Sequence, residues 1–541
     1  MERVDRMPPH ADDDSGLRAD QAGRADAYAA VPLLNSLLRE VAEPLPGDGT
    51  GDRRTYRLPG TGRLLRVRGR RRPTGPEVFT DGAWQRIGHV ELVKLAAEEL
   101  RRHTGVSNHE LPGEMIDSRD AVAALLAARA AATPPDDPYL RSEQSLVTGH
   151  THHPAPKARG GGPAASWLPY APEAHARFPL TLLALREDAV VEDGDTAALD
   201  LLGTAPPGYR LLPAHPWQLE LAARDLAPAF ADGRLLRLGT TPFPVWPTAA
   251  IRTVYAPELD LFCKFSLDVR ITNDIRRLWR HDLTRLRATD DAVRAAFARC
   301  AGPAVPGAGT AAWLSDRGHR TADFAYEQLA VVVRDGLRAH LLPGATPYLA
   351  AALVEGFDGS PLPADTPGPD AWWQAYLTQV VPPVLAVFAR HGVVLEAHLQ
   401  NTLIAVDGSG TPVQALFRDA EGVKLVRGAA GTPGPPEVSR EAGWERLVYC
   451  LIVNHLAEVA AALADLHPGF DPWPAVRHEV ARHDLPEAAA LLTAPTLPGK
   501  TNLLLRWTAA DGAAARYRPL PNPLRAPAPG APASGDRGPS S

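Results

Sequence analysis

The chain has 541 residues, 45% of them hydrophobic and 22% charged, with a formal net charge of -6. This is enough apolar residue for two or three packed subdomains and excludes a disordered chain, and the acidic balance argues against nucleic acid or a membrane surface as partner. The three cysteines, Cys263, Cys300 and Cys450, lie far apart without C-x-x-C spacing, which excludes a disulfide framework and a cysteine metal site and fits a reducing compartment.

The amino terminus, M-E-R-V-D-R-M-P-P-H-A-D-D-D, lacks the apolar core of a signal peptide, and residues 1–30 are polar enough to predict a mobile tail. Helical spacing follows in H-V-E-L-V-K-L-A-A-E-E-L-R-R and S-R-D-A-V-A-A-L-L-A-A-R-A-A-A, the second with Ser118 as N-cap, so residues 31–140 read as mainly helical. Residues 141–310 change to short apolar runs between Pro and Gly, with strand-like L-D-L-F-C-K-F-S-L-D-V-R-I-T, and read as a mixed α/β subdomain. C-A-G-P-A-V-P-G-A-G-T marks a boundary, after which A-Y-E-Q-L-A-V-V-V-R-D-G-L-R-A-H-L-L predicts a return to helix. Helix dominates residues 311–520, with one hairpin, and residues 521–541 form a low-complexity tail. The fold class expected is α+β. No uninterrupted apolar run is long enough to cross a bilayer, V-V-P-P-V-L-A-V-F being broken by Pro382 and Pro383, and a cytoplasmic protein is expected.

The hairpin is V-V-L-E-A-H-L-Q-N-T-L-I-A-V-D-G-S-G-T-P-V-Q-A-L-F-R-D, with its turn at D-G-S-G. Strand alternation would project Glu396, His398 and Gln400 together, and the returning strand would bring Asp419 opposite His398 or Gln400. Such hard oxygen donors suit Mg²⁺ held jointly with phosphates, leaving His398 to donate to a phosphate or carboxylate.

Basic and hydroxyl-bearing segments supply the opposite charge. T-G-H-T-H-H-P-A-P-K-A-R-G-G-G holds His150, His152 and His153, but Lys157 and Arg159 would repel a metal cation, so this loop reads as an anion site. P-T-A-A-I-R-T-V adds Arg252 and Thr253, and V-R-I-T-N-D-I-R-R-L adds Thr272 and Arg276, which share a face if the segment is helical or nearly so. L-P-A-H-P-W-Q, with His215 and Trp217, reads as a structural turn. Neither the P-loop nor the dinucleotide fingerprint is present, so a bound ATP would lie outside those two folds.

G-H-T-H-H-P-A-P-K-A-R, L-P-A-H-P-W-Q, I-R-T-V, K-F-S-L-D-V-R-I-T-N-D-I-R, E-A-H-L-Q-N, F-R-D, N-H-L and K-T-N-L-L-L-R occur in the order seen in siderophore synthetases independent of nonribosomal peptide synthetases. The chain resembles the IucA/IucC type over roughly residues 85–525, departing from it at Thr151, where a proline is usual, and at Ala250, where a serine is common. The resemblance implies a hand-like thumb (31–140), fingers (141–310) and palm (311–520), and a homodimer. It implies an ATP- and Mg²⁺-dependent ligase that activates citrate, succinate or a derivative as an acyl-adenylate and condenses it with an amine or alcohol. By motif position, His150, His153, Lys157 and Arg159 would contact the ATP phosphates, with Thr253, Gln400 and Asn401 also on the nucleotide. Arg252, Thr253, Thr272, Arg276 and His398 would hold the reacting carboxylate and α-phosphate, His398 being also the candidate proton acceptor. Glu396, Gln400, Asn401 and Asp419 would hold Mg²⁺. A kinase-like phosphotransferase and a catalytically silent nucleotide-binding scaffold are the alternatives. The carboxyl-terminal part also resembles ferric-siderophore reductases, but those hold an iron–sulfur cluster through several cysteines, and only Cys450 lies in this half.

Overall fold

Arginines alternating with apolar residues between glycine turns, as in R-T-Y-R-L-P-G-T-G-R-L-L-R-V-R-G, form strands in the computed structural model of the chain. The structure describes residues 11–46, 52–300, 310–362, 368–428, 437–509 and 517–525, with side chains from residue 22 onward. Strands Glu43–Pro44, Arg53–Arg57, Leu64–Arg68, Thr74–Thr80 and Ala83–Arg86 make an antiparallel sheet in chain order. Helices Ala11–Glu40, His89–Thr104 and Glu110–Ala131 pack with it around Leu33, Leu37, Leu65, Leu92 and Leu100. The first part of the chain is therefore a sheet with helices, where mainly helix is expected.

Two boundaries also move. Helix Ala11–Glu40 begins inside the expected mobile tail, because buried Ala25, Ala29 and Ala30 give it a face of small residues that packs closely. Ser118 lies inside helix Glu110–Ala131 and caps nothing; the Asn108 side chain accepts from Glu110 and Leu111 N–H at the helix start, while Ser118 Oγ accepts from Lys157 N–H. The other end of the chain is ordered further than expected: strand Tyr517–Pro521 pairs with Thr496–Lys500 and Leu524 is fully buried.

The middle is built on sheets. A six-stranded antiparallel sheet runs Trp246–Pro247, Thr253–Ala256, Leu261–Phe265, Val331–Asp335, Asp316–Ala322, Val190–Gly194, beside a three-stranded sheet of Tyr209–Ala214, Thr181–Arg186 and Leu235–Thr240. The predicted helix in A-Y-E-Q-L-A-V-V-V-R-D is instead strand Val331–Asp335, since its β-branched run is fully buried between two partner strands. The expected boundary loop falls on residues 301–309, outside the described residues.

Further on, strands Thr402–Val406 and Pro412–Arg418 form the expected hairpin, with Thr402 opposite Phe417 and the turn closed by Asp407 N–H donating to the Thr411 carbonyl. Helix Pro369–His391 packs on it. Arg440–Leu466 is one helical stretch, π-helical over Val448–Leu456, long and apolar enough by length and composition to cross a bilayer; most of it is buried inside the molecule. This corrects the expectation that no such segment exists, and its burial matches the core helix of a folded domain.

Candidate active site

One large cleft, about 1010 Å³, opens between these parts, within the upper size range of small-molecule sites. Adjacent strands of the six-stranded sheet supply its cationic wall. Thr253 pairs with Lys264, Phe262 with Arg334, and alternation puts Lys264 and Arg334 on the same face. Arg252 precedes the first of these strands, after Ile251 at φ 60°. Asp419 and Glu421 leave the hairpin toward this wall, Asp419 at φ 84°. Lys264 Nζ lies 2.6 Å from both Asp419 Oδ1 and Glu421 Oε2, Arg252 Nη2 donates to Glu421 Oε2 at 2.9 Å, and Arg334 Nη2 reaches Asp419 Oδ1 at 3.3 Å. Burial alone would raise both carboxyls, but the adjacent cations outweigh it: Glu421 is held at about 2 and Asp419 lower still.

Arg276 is different. It reaches the cleft from a short ribbon, Arg270–Ile271 with Asp274–Ile275, not from the helical turn expected for Thr272 and Arg276. The turn places Thr272 at φ 60°, and Arg276 Nη2 donates to Thr272 Oγ1 at 2.7 Å. Among the described residues no carboxylate pairs with it, and burial, then Arg252, pulls its pKa down to about 10. A half-buried guanidinium whose side-chain partner is a hydroxyl is a seat for an anion. Backbone strain of about 1–3 kcal/mol each at Ile251, Thr272 and Asp419 is concentrated on this wall.

The expected pairing of Asp419 with His398 or Gln400 is not formed, because E-A-H-L-Q-N is a turn and not a strand and the ladder ends at Thr402 with Phe417. His398 N–H donates to the Glu396 carbonyl, Asn401 N–H to the His398 carbonyl, and Thr402 Oγ1 to the same carbonyl. These local bonds outcompete a ladder, so pairing starts only at Thr402. Glu396, His398, Gln400 and Asn401 all line the cleft, yet Glu396 pairs with Arg446 and does not join Asp419. Among the described residues no three His, Cys, Asp or Glu side chains form a metal-holding group, and of the two carboxylates in the expected set of Glu396, Gln400, Asn401 and Asp419, Glu396 is held by Arg446. Asp419 with Glu421, two carboxylates on one ammonium, is the pair that fits a divalent cation. The turn itself is braced from behind: His455 Nδ1 donates to the Ala397 carbonyl at 2.8 Å, which leaves Nε2 to accept from the Tyr376 hydroxyl.

The basic loop also reaches the cleft, but its charges are turned inward. Lys157 and Arg159 are 5% exposed and both pair with buried Glu173, the lysine donating also to the Leu146 carbonyl. Its histidines are neutral donors. His150 Nδ1 accepts from His152 N–H, His153 Nδ1 from Ala155 N–H, and elsewhere His398 Nδ1 from Gln400 N–H and His215 Nδ1 from Trp217 N–H. Each ring therefore carries its proton on Nε2, and burial lowers every one of these pKa values, His150 and His215 to about 3. This argues against His398 as the proton acceptor and for it as a donor. His153 is behind the wall: it is fully buried and its Nε2 donates to Asn273 Oδ1 at 3.2 Å. Asn273 in turn donates to Asn502, which donates to the His152 carbonyl. His215 and Trp217 are buried in a helix-capping turn, as expected.

Sequence reading missed Lys264, Arg334 and Glu421. The signal was a lone cation inside an otherwise apolar strand, in L-F-C-K-F and V-V-V-R, which a surface strand does not show. Lys424 and Lys500 line the far end of the cleft beside the Glu396–Arg446 pair. Cys450 lies there too, its thiol pushed up to about 12 by burial.

Residues 138–355 match the IucA / IucC family, and residues 370–515 match the ferric iron reductase FhuF-like transporter family. The chain is 28% identical over 441 residues to L-2,3-diaminopropanoate--citrate ligase of Staphylococcus aureus, spanning 72% of this chain and 75% of that one. It is 28% identical over 503 residues to the rhizobactin siderophore biosynthesis protein RhbC of Rhizobium meliloti, spanning 81% and 84%. ATP-bound aerobactin synthetase IucA of Klebsiella pneumoniae superposes with a TM-score of 0.76 at 22% identity, covering 92% of this chain and all of that chain.

Proposed function

We propose, from the premise that this chain belongs to the IucA/IucC family, that it activates a carboxylic acid with ATP and transfers the acyl group to an amine or alcohol. The acid would be citrate, succinate or a derivative, in the making of a siderophore or a related metabolite, as the citrate ligase and siderophore names of its relatives suggest. The observation that carries this reading is Arg276, a half-buried guanidinium without a carboxylate partner among the described residues, beside Arg252 and Lys264 in a cleft large enough for two substrates.

Two anions, a carboxylate and a triphosphate, have to approach each other before bonding, and the wall supplies the opposing charge. A carboxylate oxygen attacks the α-phosphorus while the bond to the β-phosphate oxygen breaks, and pyrophosphate leaves with the electron pair. Arg252, Arg276 and Thr272 would hold the carboxylate and α-phosphate, with His398 donating from Nε2. Thr253, Gln400, Asn401 and His150 would line the nucleotide side, with Lys157 and Arg159 supplying positive potential from their buried pair with Glu173. Asp419 and Glu421 would hold Mg²⁺, which when bound neutralises phosphate charge. The amine then attacks the acyl carbon and AMP departs; its proton goes to solvent or phosphate oxygen, since the proton on His398 Nε2 leaves that ring no acceptor facing outward.

Incubation with ATP, Mg²⁺ and a panel of acids should release pyrophosphate only when an acid is present. Release of ADP would replace this reading by phosphoryl transfer, and ATP binding without turnover across acids and amines by a silent scaffold.

A further inference from the structure

The Arg252 guanidinium, the seat assigned above to substrate anion, already holds a carboxylate of the chain itself. Glu421 Oε2 accepts from Arg252 Nη2 at 2.9 Å and lies 2.6 Å from Lys264 Nζ, while Glu421 Oε1 makes no hydrogen bond among the described residues. Both cations are buried, with side chains 7% and 4% exposed, whereas the glutamate side chain is 28% exposed on the cleft wall. Asp419 shares the same ammonium and is further fixed by Arg334. An incoming carboxylate or phosphate that takes the position between Arg252 Nη2 and Lys264 Nζ therefore displaces Glu421, and a displaced Glu421 stands beside Asp419 with its charge unmatched.

We propose that Glu421 is an exchangeable counter-ion, neutralising Arg252 and Lys264 in the free protein and turning to a divalent cation beside Asp419 once an anion has taken its place. The exchange makes anion and cation binding cooperative, because each removes the partner that the other has to displace. Reciprocity then requires each to tighten the other by the same factor, about 5- to 150-fold for couplings of ordinary size. It rests on the reading of this cleft as a site for substrate anions, and extends it to the order in which charges are handed over.

The test uses the full chain, Mn²⁺ as a paramagnetic cation and AMP as an anion that chelates Mn²⁺ only weakly. Electron paramagnetic resonance titration gives Mn²⁺ affinity with and without saturating AMP, and calorimetry gives AMP affinity with and without Mn²⁺. Expected is at least a 5-fold tightening in both directions. In Glu421→Gln, AMP alone should bind more tightly than to the wild type, Mn²⁺ alone more weakly, and the coupling should vanish. Independent binding in the wild type, or coupling that survives Glu421→Gln, overturns the exchange, the latter because direct metal–phosphate contact would then carry it. Acid-dependent pyrophosphate release measured on the same protein keeps the two readings apart. Release without coupling overturns only the exchange; coupling without release overturns only the ligase reading.

Discussion

Two groups of cations face the same cleft and differ in what completes them. Lys157 and Arg159 lie within nine residues of three histidines in one short segment, yet both are folded onto Glu173. Arg252, Lys264 and Arg276 are scattered over the sequence and come together through long-range folding; the first two share Asp419 and Glu421, while Arg276 has only the Thr272 hydroxyl as side-chain partner. Local density thus marks a structural knot built around its own carboxylate, and long-range convergence marks a guanidinium, that of Arg276, left without one among the described residues.

If that contrast holds, the largest effect on stability belongs to the loop. Glu173→Ala leaves two buried cations without a counter-ion and should destabilise the protein by about 3–5 kcal/mol, read by denaturant unfolding. Lys157→Met keeps the Arg159–Glu173 pair and should lose much less activity than Arg276→Ala; equal losses would break the comparison.

Next comes the uncompensated wall. Arg276→Ala should lower acid-dependent pyrophosphate release roughly 10²- to 10³-fold, the order seen when one donor to a developing charge is removed. The melting temperature should hardly move, because removing a half-buried charge without a carboxylate partner forfeits no ion pair and relieves part of a desolvation penalty. A large loss of stability would show that Arg276 is as structural as Lys157.

A smaller effect, in the pH dependence, tests how the carboxyl-terminal segment is fastened to the wall. Glu40 accepts from Leu503 and Leu504 N–H at the start of helix Asn502–Trp507, and burial raises its pKa from the ordinary 4.5 to about 7 against those bonds. The folded protein therefore holds this proton more tightly than the unfolded chain. The stabilisation is complete below about pH 4.5 and is lost as pH rises through about 7, on the order of 3 kcal/mol at most by the size of the shift. Melting temperature should fall from pH 5 to pH 8, and Glu40→Gln should flatten that fall.

What was legible in the sequence follows the same division. Ordered motifs pointed to the family whose model matches residues 138–355, and the D-G-S-G turn located the hairpin that ends just before Asp419. Side-chain acceptors within two residues of their donors were not foreseen, so E-A-H-L-Q-N was read as strand; the helical geometry under which Thr272 and Arg276 would share a face is replaced by a ribbon whose turn joins them directly. The first sheet was missed because its arginine-rich strands bury only isolated positions, such as Thr55 between Arg54 and Tyr56 and Val67 between Arg66 and Arg68. Lys264 and Arg334 escaped because a charge inside an apolar strand acquires its meaning from strands far away in sequence.

The smallest effect joins the two cation groups. Asn502 donates to the His152 carbonyl of the basic loop and accepts from Asn273 Nδ2 at 3.0 Å on the ribbon that carries Arg276. Asn273 Oδ1 in turn accepts from His153 Nε2, so one amide chain fixes the loop, the ribbon and a histidine tautomer together. Asn502→Ala removes neutral hydrogen bonds worth about 1 kcal/mol each and should raise the KM for ATP and acid together while leaving most of kcat. Asn273→Ala should do the same, and the double variant should lose less than the two single losses combined, by at least about 0.5 kcal/mol, because the residues share a bond. Strict additivity would mean that loop and ribbon are positioned independently, and the basic loop could then be removed from the account of the wall altogether.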